Sequence, residues 1–369
     1  MIRKLWGLGA RWVLAVGIGV AGGAALAGAE DAPKAAGPAP ENGVAVTAGK
    51  AVSLPASIPF VLEHNRMILE GALERPDGSL RTAAVWVDTG NPDLMMSEAL
   101  ARDLGIDLDD AASKAKDGWL EVPAPPALRL GGVPVPLQGV TARVALGSPM
   151  MPGLRAEINL PSTVMRRYRV VFDYPARRLV LAEPGKNEPQ GNPVTAKVHP
   201  VTGVVQVEVD IEGQKASFAL DNGASYTFVS QDWLAEALAA HRDWPHRTGA
   251  LGCANMWGWQ TEAKWPLARV PAITCGKARL PGVGVAGLPK AVFEWYSRKT
   301  AEPVTGLLGP NAFRGCRVEI DFERQIVHIP TTSLAIICPR FSSDAKGMNG
   351  GFAPAPIEPN GVSSCMSIS

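Results

Sequence analysis

The chain has 369 residues, of which 46% are apolar, enough for about two domains with sizeable buried cores. Its 36 basic and 35 acidic residues leave a net charge of +1, so no overall positive field attracts nucleic acid or an anionic membrane. The 39 glycines and 32 prolines favour many short strands joined by turns. We therefore expect a mostly β fold and no nucleic-acid partner.

The first 29 residues have the order of a secretory signal peptide. Basic residues precede an uncharged, mostly apolar run over 12–26, and small residues follow up to Ala29. We predict a signal peptide at 1–29 and an exported protein, periplasmic or extracellular, with an uncleaved N-terminal anchor as the alternative. Residues 30–51 are predicted to form a flexible leader and residues 342–369 a disordered tail, because both lack apolar periodicity.

Two segments of similar length, 52–186 and 194–331, carry the same landmarks in the same order. In each, an apolar strand ends in Asp-x-Gly, and a serine nine residues after the aspartate precedes helix-forming residues. The aspartates are Asp88 and Asp221, and the serines are Ser97 and Ser230. Further along, the strand-like sequences at 169–173 and 317–321 also match. We predict an internal duplication that gives an N-terminal lobe at 52–186 and a C-terminal lobe at 194–331.

The repeated Asp-x-Gly turn indicates paired acid–base chemistry. If the two segments pack with pseudo-twofold symmetry, Asp88 and Asp221 meet face to face. Two carboxylates in contact cannot both ionise, so one keeps a proton while the other acts as a base. Such a pair can activate water against a peptide carbonyl without a cofactor or a covalent intermediate. We therefore take Asp88 and Asp221 as the candidate catalytic residues.

A resemblance to a known family rests on two stretches. Trp86-Val-Asp88-Thr-Gly-Asn, with Met96-Ser-Glu-Ala-Leu after it, resembles the active-site strand, loop and helix of bacterial retropepsin-like aspartyl proteases. Gly306-Leu-Leu-Gly-Pro-Asn resembles the closing element of the same family. Because both segments lie on one chain, the arrangement is similar to that of pepsin. The resemblance implies two tandem closed-barrel lobes, each with a short helix, and a monomer that takes a peptide or unfolded protein in the cleft between them.

The resemblance also implies which loop residues support the two acids: Thr89, Gly90, Asn91, Asn222, Gly223, Ala224 and Gly309. Three positions depart from the family's pattern. Asn222 stands where Thr or Ser usually braces the two loops, Asn159-Leu160-Pro161 replaces the apolar-apolar-Gly element in the first lobe, and Asn91 replaces a usual Ala. A catalytically silent peptide-binding or envelope scaffold protein is therefore the alternative function, and a retropepsin-like homodimer is a third possibility.

Other motifs add little chemistry. Trp257 and Trp259 flank a glycine in a region where the family has a flap, so they are candidate substrate contacts. The five cysteines lack the close spacing of a zinc site and no histidine lies in a zinc-hydrolase motif, so we expect no metal and no cofactor. Pairing of Cys253 with Cys275 and of Cys316 with Cys338 is one of several possible disulfide connectivities, and buried thiols are the alternative.

Overall fold

The computed structural model describes residues 53–116, 118–147, 150–151, 153–185, 189–249 and 265–330. The predicted signal peptide, leader and tail lie outside these residues, as do Trp257 and Trp259. Within the described part of the chain, no helix is long and apolar enough to cross a membrane.

The first half consists mainly of short strands, in several of which buried and exposed residues alternate as expected for sheets with one face on a core. The strands are β1 Ala56–Glu63, β2 Arg66–Glu74, β3 Leu80–Asp88, β4 Leu94–Ser97, β5 Trp119–Val122, β6 Ala127–Leu130, β7 Val133–Pro136, β8 Ala142–Ala145, β9 Ile158–Pro161, β10 Arg169–Asp173 and β11 Arg178–Ala182. The helices are α1 Glu98–Asp103, α2 Ala111–Lys114 and α3 Ser162–Met165.

The second half has the same character. Its strands are β12 Asn192–Val198, β13 Val205–Ile211, β14 Gln214–Leu220, β15 Thr227–Ser230, β16 His246–Gly249, β17 Trp265–Cys275, β18 Ala278–Leu288, β19 Gly306–Leu308, β20 Arg317–Asp321 and β21 Ile326–Ile329. Its helices are α4 Gln231–Ala240 and α5 Lys290–Tyr296, with a 3-10 turn at Pro310–Ala312. The prediction of a mostly β fold is confirmed.

Strand pairing in the second half repeats the pairing in the first. In the first half β2 pairs antiparallel with β3, β3 runs parallel to β9, and β4 runs parallel to β8. In the second half β13 pairs with β14, β14 runs parallel to β19, and β15 runs parallel to β18 in the same way. The two Asp-x-Gly turns therefore occupy equivalent places, each following the strand that is paired in parallel.

The second half closes into a six-stranded barrel in the order β13, β14, β19, β15, β18 and β17, with β17 returning to β13. The first half has no continuous counterpart of β17, which is a single strand of 11 residues in the second half. There, β5 and β6 are separate four-residue strands on either side of 123–126. Three of the four residues in that stretch are prolines, which lack the N–H group that a continuous ladder requires.

An antiparallel sheet joins the two halves, in the order β1, β11, β10, β20, β21 and β12. At its centre β10 pairs with β20, so that Arg169 is opposite Asp321 and Val171 is opposite Glu319. These are the two matching strand-like sequences, and in the structure they are each other's partners. A buried ion pair between Arg169 and Glu319, at 2.8 Å, links the same strands.

Both predicted serine caps are confirmed. Ser97 Oγ accepts a hydrogen bond from Leu100 N at the start of α1, and Ser230 Oγ accepts one from Trp233 N at the start of α4. Each helix therefore begins at the end of the strand that follows an Asp-x-Gly turn, and this order fixes the direction in which the chain leaves the turn.

Two cysteines lie in the described core. Cys275 is a free thiol with no exposed surface, and burial raises its pKa to about 12. It therefore corresponds to the alternative of a buried thiol. Cys316 is buried as well. The remaining cysteines, Cys253, Cys338 and Cys365, lie outside the described residues.

Candidate functional site

Each half contributes one carboxyl group on a turn stabilised by its own backbone. Asp88 ends β3, and its Oδ1 accepts a hydrogen bond from Gly90 N at 3.1 Å. Asp221 directly follows β14, and its Oδ1 accepts one from Ala224 N at 2.9 Å. Both aspartates are buried. The parallel strands β9 and β19 flank these turns, so each carboxyl is fixed by a sheet rather than by a free loop.

The two turns face each other so closely that each glycine leaves space for the opposite acid. A Cβ atom on Gly90 would lie 2.5 Å from Cγ of Asp221, and one on Gly223 would lie 2.2 Å from Oδ1 of Asp88. Real Cβ contacts are not this short, so any side chain at these positions would push the carboxyls apart. The structure thus places Asp88 and Asp221 next to each other across the two halves.

Thr89 links the two turns through its hydroxyl group. Thr89 Oγ1 donates to the carbonyl oxygen of Leu220 and accepts from the backbone N–H of Asn222, both at 2.9 Å. Thr89 has 1% of its surface exposed, so water does not compete for these bonds. The hydroxyl therefore fixes the first turn against the last residue of β14 and the first residue after Asp221.

Asn222 occupies the equivalent position in the second half but has a different contact. Its side-chain Oδ1 accepts a hydrogen bond from the hydroxyl of Tyr174 at 3.0 Å. Tyr174 is itself held by aromatic contacts with Phe60 and Phe313. The longer amide side chain thus connects the second turn to the sheet that joins the halves, while its backbone takes part in the Thr89 brace.

Gly309 lies beside the second turn in a place where a side chain does not fit. A Cβ atom there would lie 2.2 Å from the carbonyl oxygen of Tyr226, so only glycine fits. Its N–H donates to Thr227 Oγ1 at 3.1 Å, and the preceding residue, Leu308, accepts a hydrogen bond from Asp221 N at 3.1 Å.

The first half replaces this glycine support with amide side chains. Asn159 Oδ1 accepts from Met95 N at 2.6 Å, and Asn159 Nδ2 donates to the carbonyl oxygen of Asp93 at 3.0 Å. Asn91 also donates to the Asp93 carbonyl, at 3.2 Å. The loop after Asp88 is therefore held by specific hydrogen bonds, even though the apolar-apolar-Gly element is missing.

Burial and charge proximity shift the pKa values of both acids in the same direction. Desolvation raises the pKa of Asp88 well above its usual range, and the neighbouring charge of Asp221 raises it further. Desolvation also raises the pKa of Asp221, while hydrogen bonds from Tyr296 and Ala224 lower it. The pair therefore retains a proton at a pH where separate, exposed aspartates would both be ionised.

Two cations partly offset this effect. Arg66, at the start of β2, is 1% exposed and donates from Nε to the carbonyl oxygen of Gly223 at 2.7 Å. Lys299 lies after α5, with its Nζ 3.6 Å from the centre of the Trp295 ring. Desolvation lowers the pKa of Lys299 to about 8, although the nearby acids oppose the shift. Both positive charges favour ionisation of Asp88.

A residue from α5 completes the site. The Tyr296 hydroxyl contacts Oδ2 of Asp221 at 2.6 Å and the carbonyl oxygen of Gly90 at 2.9 Å. Together with Trp295 and Met151 it lines a cavity of about 30 Å3 in front of the two acids. That volume accommodates one water molecule, whereas sites for larger ligands measure roughly 300 to 1,000 Å3.

Sequence reasoning missed four residues of this site: Arg66, Tyr174, Tyr296 and Lys299. None lies in a recognisable motif. Arg66, Tyr174 and Tyr296 contact the Asp221-Asn222-Gly223 turn from segments distant in sequence, and Lys299 acts on the acids through its charge. Their contribution depends on tertiary packing, so no local pattern predicts it. Among the described residues, no cluster of three or more His, Cys, Asp or Glu side chains could hold a metal ion.

Comparisons with known proteins give a family match in the second half. The crystal structure of aspartic proteinase from Irpex lacteus aligns with a TM-score of 0.44 and 11% sequence identity, over 76% of this chain and 98% of that chain. No curated protein matches the sequence. Residues 207–312 match the family model described as aspartyl protease, and this segment includes Asp221, Asn222, Gly223 and Gly309.

Proposed function

We propose that the protein is an aspartic endopeptidase in which Asp88 and Asp221 act together on peptide bonds. The observation that carries this proposal is the pair of buried carboxyls. Each one occupies the space that a side chain would take if the glycine facing it in the other half were replaced. The match of residues 207–312 to aspartyl proteases supports the same class of activity.

The geometry supports general acid–base hydrolysis by water. A water molecule in the cavity would lose a proton to the ionised carboxylate while its oxygen bonds to the peptide carbonyl carbon. The protonated carboxyl would donate its hydrogen to the carbonyl oxygen, giving a tetrahedral diol. In the second step the first carboxyl returns its proton to the leaving nitrogen, the C–N bond breaks, and a diol hydroxyl returns a proton to the second carboxyl.

The proposed substrate is a peptide or an unfolded protein chain, bound between the two halves by a single copy of the protein. One chain is sufficient because it supplies both acids. The cavity of about 30 Å3 is too small for a peptide. A bound peptide therefore needs more space in front of the two acids than this cavity provides.

The test is cleavage of an unfolded protein by the purified chain between about pH 3 and pH 7. The matched variants are Asp88→Asn and Asp221→Asn, with Asp77→Asn as a control in an exposed turn. We expect cleavage that is favoured by acid, lost in both site variants and unchanged in the control. Cleavage retained by both site variants would remove the mechanism.

A catalytically silent peptide-binding or envelope scaffold protein is the second candidate. The observation that favours it is Asn222, whose side chain bonds Tyr174 instead of taking the brace role of a Thr or Ser hydroxyl. If the folded natural chain binds an extended peptide without cutting it, and Asn222→Thr introduces cutting, this second function replaces the first.

We also propose that the protein is exported, on the basis of the signal-like order of residues 1–29. Fusion of these residues to a reporter enzyme that is active outside the cytoplasm and inactive inside it tests the proposal. Reporter activity that depends on the apolar run at 12–26 supports export, and a silent reporter contradicts it.

A further inference from the structure

Tyr296 touches both halves of the acidic site. Its hydroxyl oxygen lies 2.6 Å from Oδ2 of Asp221 and 2.9 Å from the carbonyl oxygen of Gly90, which belongs to the opposite turn. The residue is 4% exposed, so both contacts are made away from bulk water. Its position at the end of α5 is fixed by the packing of Phe293 and Tyr296 in the same buried cluster.

The Tyr296 hydroxyl is a hydrogen-bond donor at every relevant pH. Burial, together with the charges of Asp221 and Asp88, raises its pKa well above the ordinary value for tyrosine. A hydrogen bond from a hydroxyl to an ionised carboxylate is short and roughly twice as strong as one between neutral groups. The distance of 2.6 Å to Asp221 falls in that short range.

The two acids receive unequal support from the protein. Asp221 Oδ1 accepts a hydrogen bond from Ala224 N at 2.9 Å, and its Oδ2 accepts the single hydroxyl hydrogen of Tyr296, for which it is the nearer acceptor, at 2.6 Å against 2.9 Å for the Gly90 carbonyl oxygen. Asp88 accepts one on Oδ1 from Gly90 N, and its buried Oδ2 has no partner among the described residues. An ionised oxygen without a donor is costly in the interior of a protein, so the negative charge is better placed on Asp221.

Two cations near the pair act on both acids. Arg66 approaches from β2 and favours the ionised form of both acids. Lys299 follows α5 and interacts with both acids as well. The direct contact of Tyr296 is with one acid only, since its hydroxyl oxygen lies 2.6 Å from Oδ2 of Asp221, and it therefore distinguishes the two carboxyls.

We propose that Tyr296 is a positioning residue that keeps the negative charge on Asp221 and the shared proton on Asp88. This inference rests on the proposed function and gives each acid its role. Asp221 is the base that takes a proton from water as the water oxygen bonds to the carbonyl carbon. Asp88 is the acid that donates its Oδ2 proton to the carbonyl oxygen. When the C–N bond breaks, Asp221 gives its proton to the leaving nitrogen and a diol hydroxyl gives a proton back to Asp88.

The test is the pH dependence of kcat/KM in Tyr296→Phe, with Tyr168→Phe as a matched control. Tyr168 is a buried core tyrosine that does not line the cavity in front of the acids. Without the donated hydrogen bond the pKa of Asp221 rises, so we expect the acidic limb of the profile to move up by about one pH unit. The basic limb stays in place, because Asp221 is ionised on both sides of that transition. An even fall in rate at all pH values, or a stationary acidic limb, would overturn the proposal.

A second measurement does not depend on activity. The infrared band of protonated carboxyl groups is followed against pH in the natural chain and in Tyr296→Phe, with Asp88→Asn and Asp221→Asn to identify the two acids. We expect the Asp221 band to appear at higher pH in Tyr296→Phe. If this shift occurs in a chain that cuts no peptide, the positioning role holds and the proposed function fails. If cutting needs both acids but the Asp221 band does not shift, the proposed function holds and the positioning role fails.

A replacement that keeps the ring and its hydroxyl covers the case in which Tyr296→Phe does not fold. A fluorotyrosine at position 296 has a more acidic hydroxyl and donates a stronger hydrogen bond. We expect the acidic limb and the Asp221 band to move to lower pH, opposite to the phenylalanine variant. Movement in the same direction as that variant would contradict the donor role.

Discussion

Asn222 donates its backbone N–H to the hydroxyl of Thr89 at 2.9 Å, across the two halves of the molecule. The same hydroxyl donates to the Leu220 carbonyl at 2.9 Å. Thr89→Val keeps the shape of the side chain and leaves two buried backbone groups without a partner. We expect the free energy of unfolding to fall by about 2 kcal/mol, measured by urea denaturation. Thr89→Ser keeps the hydroxyl and serves as the control; equal losses in the two variants would contradict the brace.

The contact between Asn222 and Tyr174 replaces the second half of that brace. A double-mutant cycle with Asn222→Ala and Tyr174→Phe isolates its contribution. We expect a coupling free energy of about 1 kcal/mol, because each single variant leaves the other's buried polar atom unpaired. The free energies of unfolding of the four chains give the result. If the two substitutions lower the free energy of unfolding additively, the Asn222 side chain is not coupled to Tyr174, and Asn222 stabilises the turn through its backbone N–H alone.

The raised pKa of Asp88 gives the chain a distinctive pH dependence of stability. The folded state binds this proton more tightly than the unfolded state, in which the pKa is near the ordinary value of 3.8. The stability gained from binding this proton is therefore complete below pH 3.8, and it is lost as the pH rises through the raised pKa of the folded state. We expect Asp88→Asn to be more stable than the natural chain at pH 7 by at least about 1 kcal/mol, and the difference to shrink in acid.

Urea unfolding of the two chains at several pH values measures that difference. Asp77→Asn is the control, because Asp77 lies in an exposed turn and its pKa is lowered, first by its hydrogen bond with Ser79. If Asp88→Asn lost stability at pH 7 and the loss persisted in acid, the desolvated pair would not be the source of the pH dependence.

Gly223 sets the separation between the acids. A Cβ atom at this position would lie 2.2 Å from Oδ1 of Asp88, so Gly223→Ala must displace one of the two turns. A displacement of this size in a catalytic pair lowers activity by roughly 100-fold. The peptide cleavage rate and the melting temperature should be measured together. Gly249→Ala, where the nearest atom to the new Cβ is 3.4 Å away, should change neither.

The sequence predicts the parts of this site that depend on local pattern. The Asp-x-Gly turns, the serine caps at Ser97 and Ser230 and the mostly β fold all follow from residue spacing and turn chemistry. Tyr296 was not predicted, because a tyrosine near the end of a short helix has no local feature that distinguishes a core residue from a ligand of Asp221. Arg66 was not predicted for a related reason. An arginine in a hairpin is usually exposed, whereas this one is buried and donates a hydrogen bond to the carbonyl oxygen of Gly223, more than 150 positions away.

The sheet that joins the halves also determines when the site can form. Strand β10 pairs with β20 of the other half, and β1 pairs with β11 from the opposite end of its own half, so the joining sheet depends on strands that are distant in sequence. Contacts between residues so distant in sequence are slow to form, because the loop-closure entropy must be overcome first. During synthesis, Asp88 therefore has no partner until the chain has been extended past β20. A nascent or truncated chain that ends before β20 lacks the strand pairing that joins the halves, so we expect the proposed cleavage activity only in the completed fold.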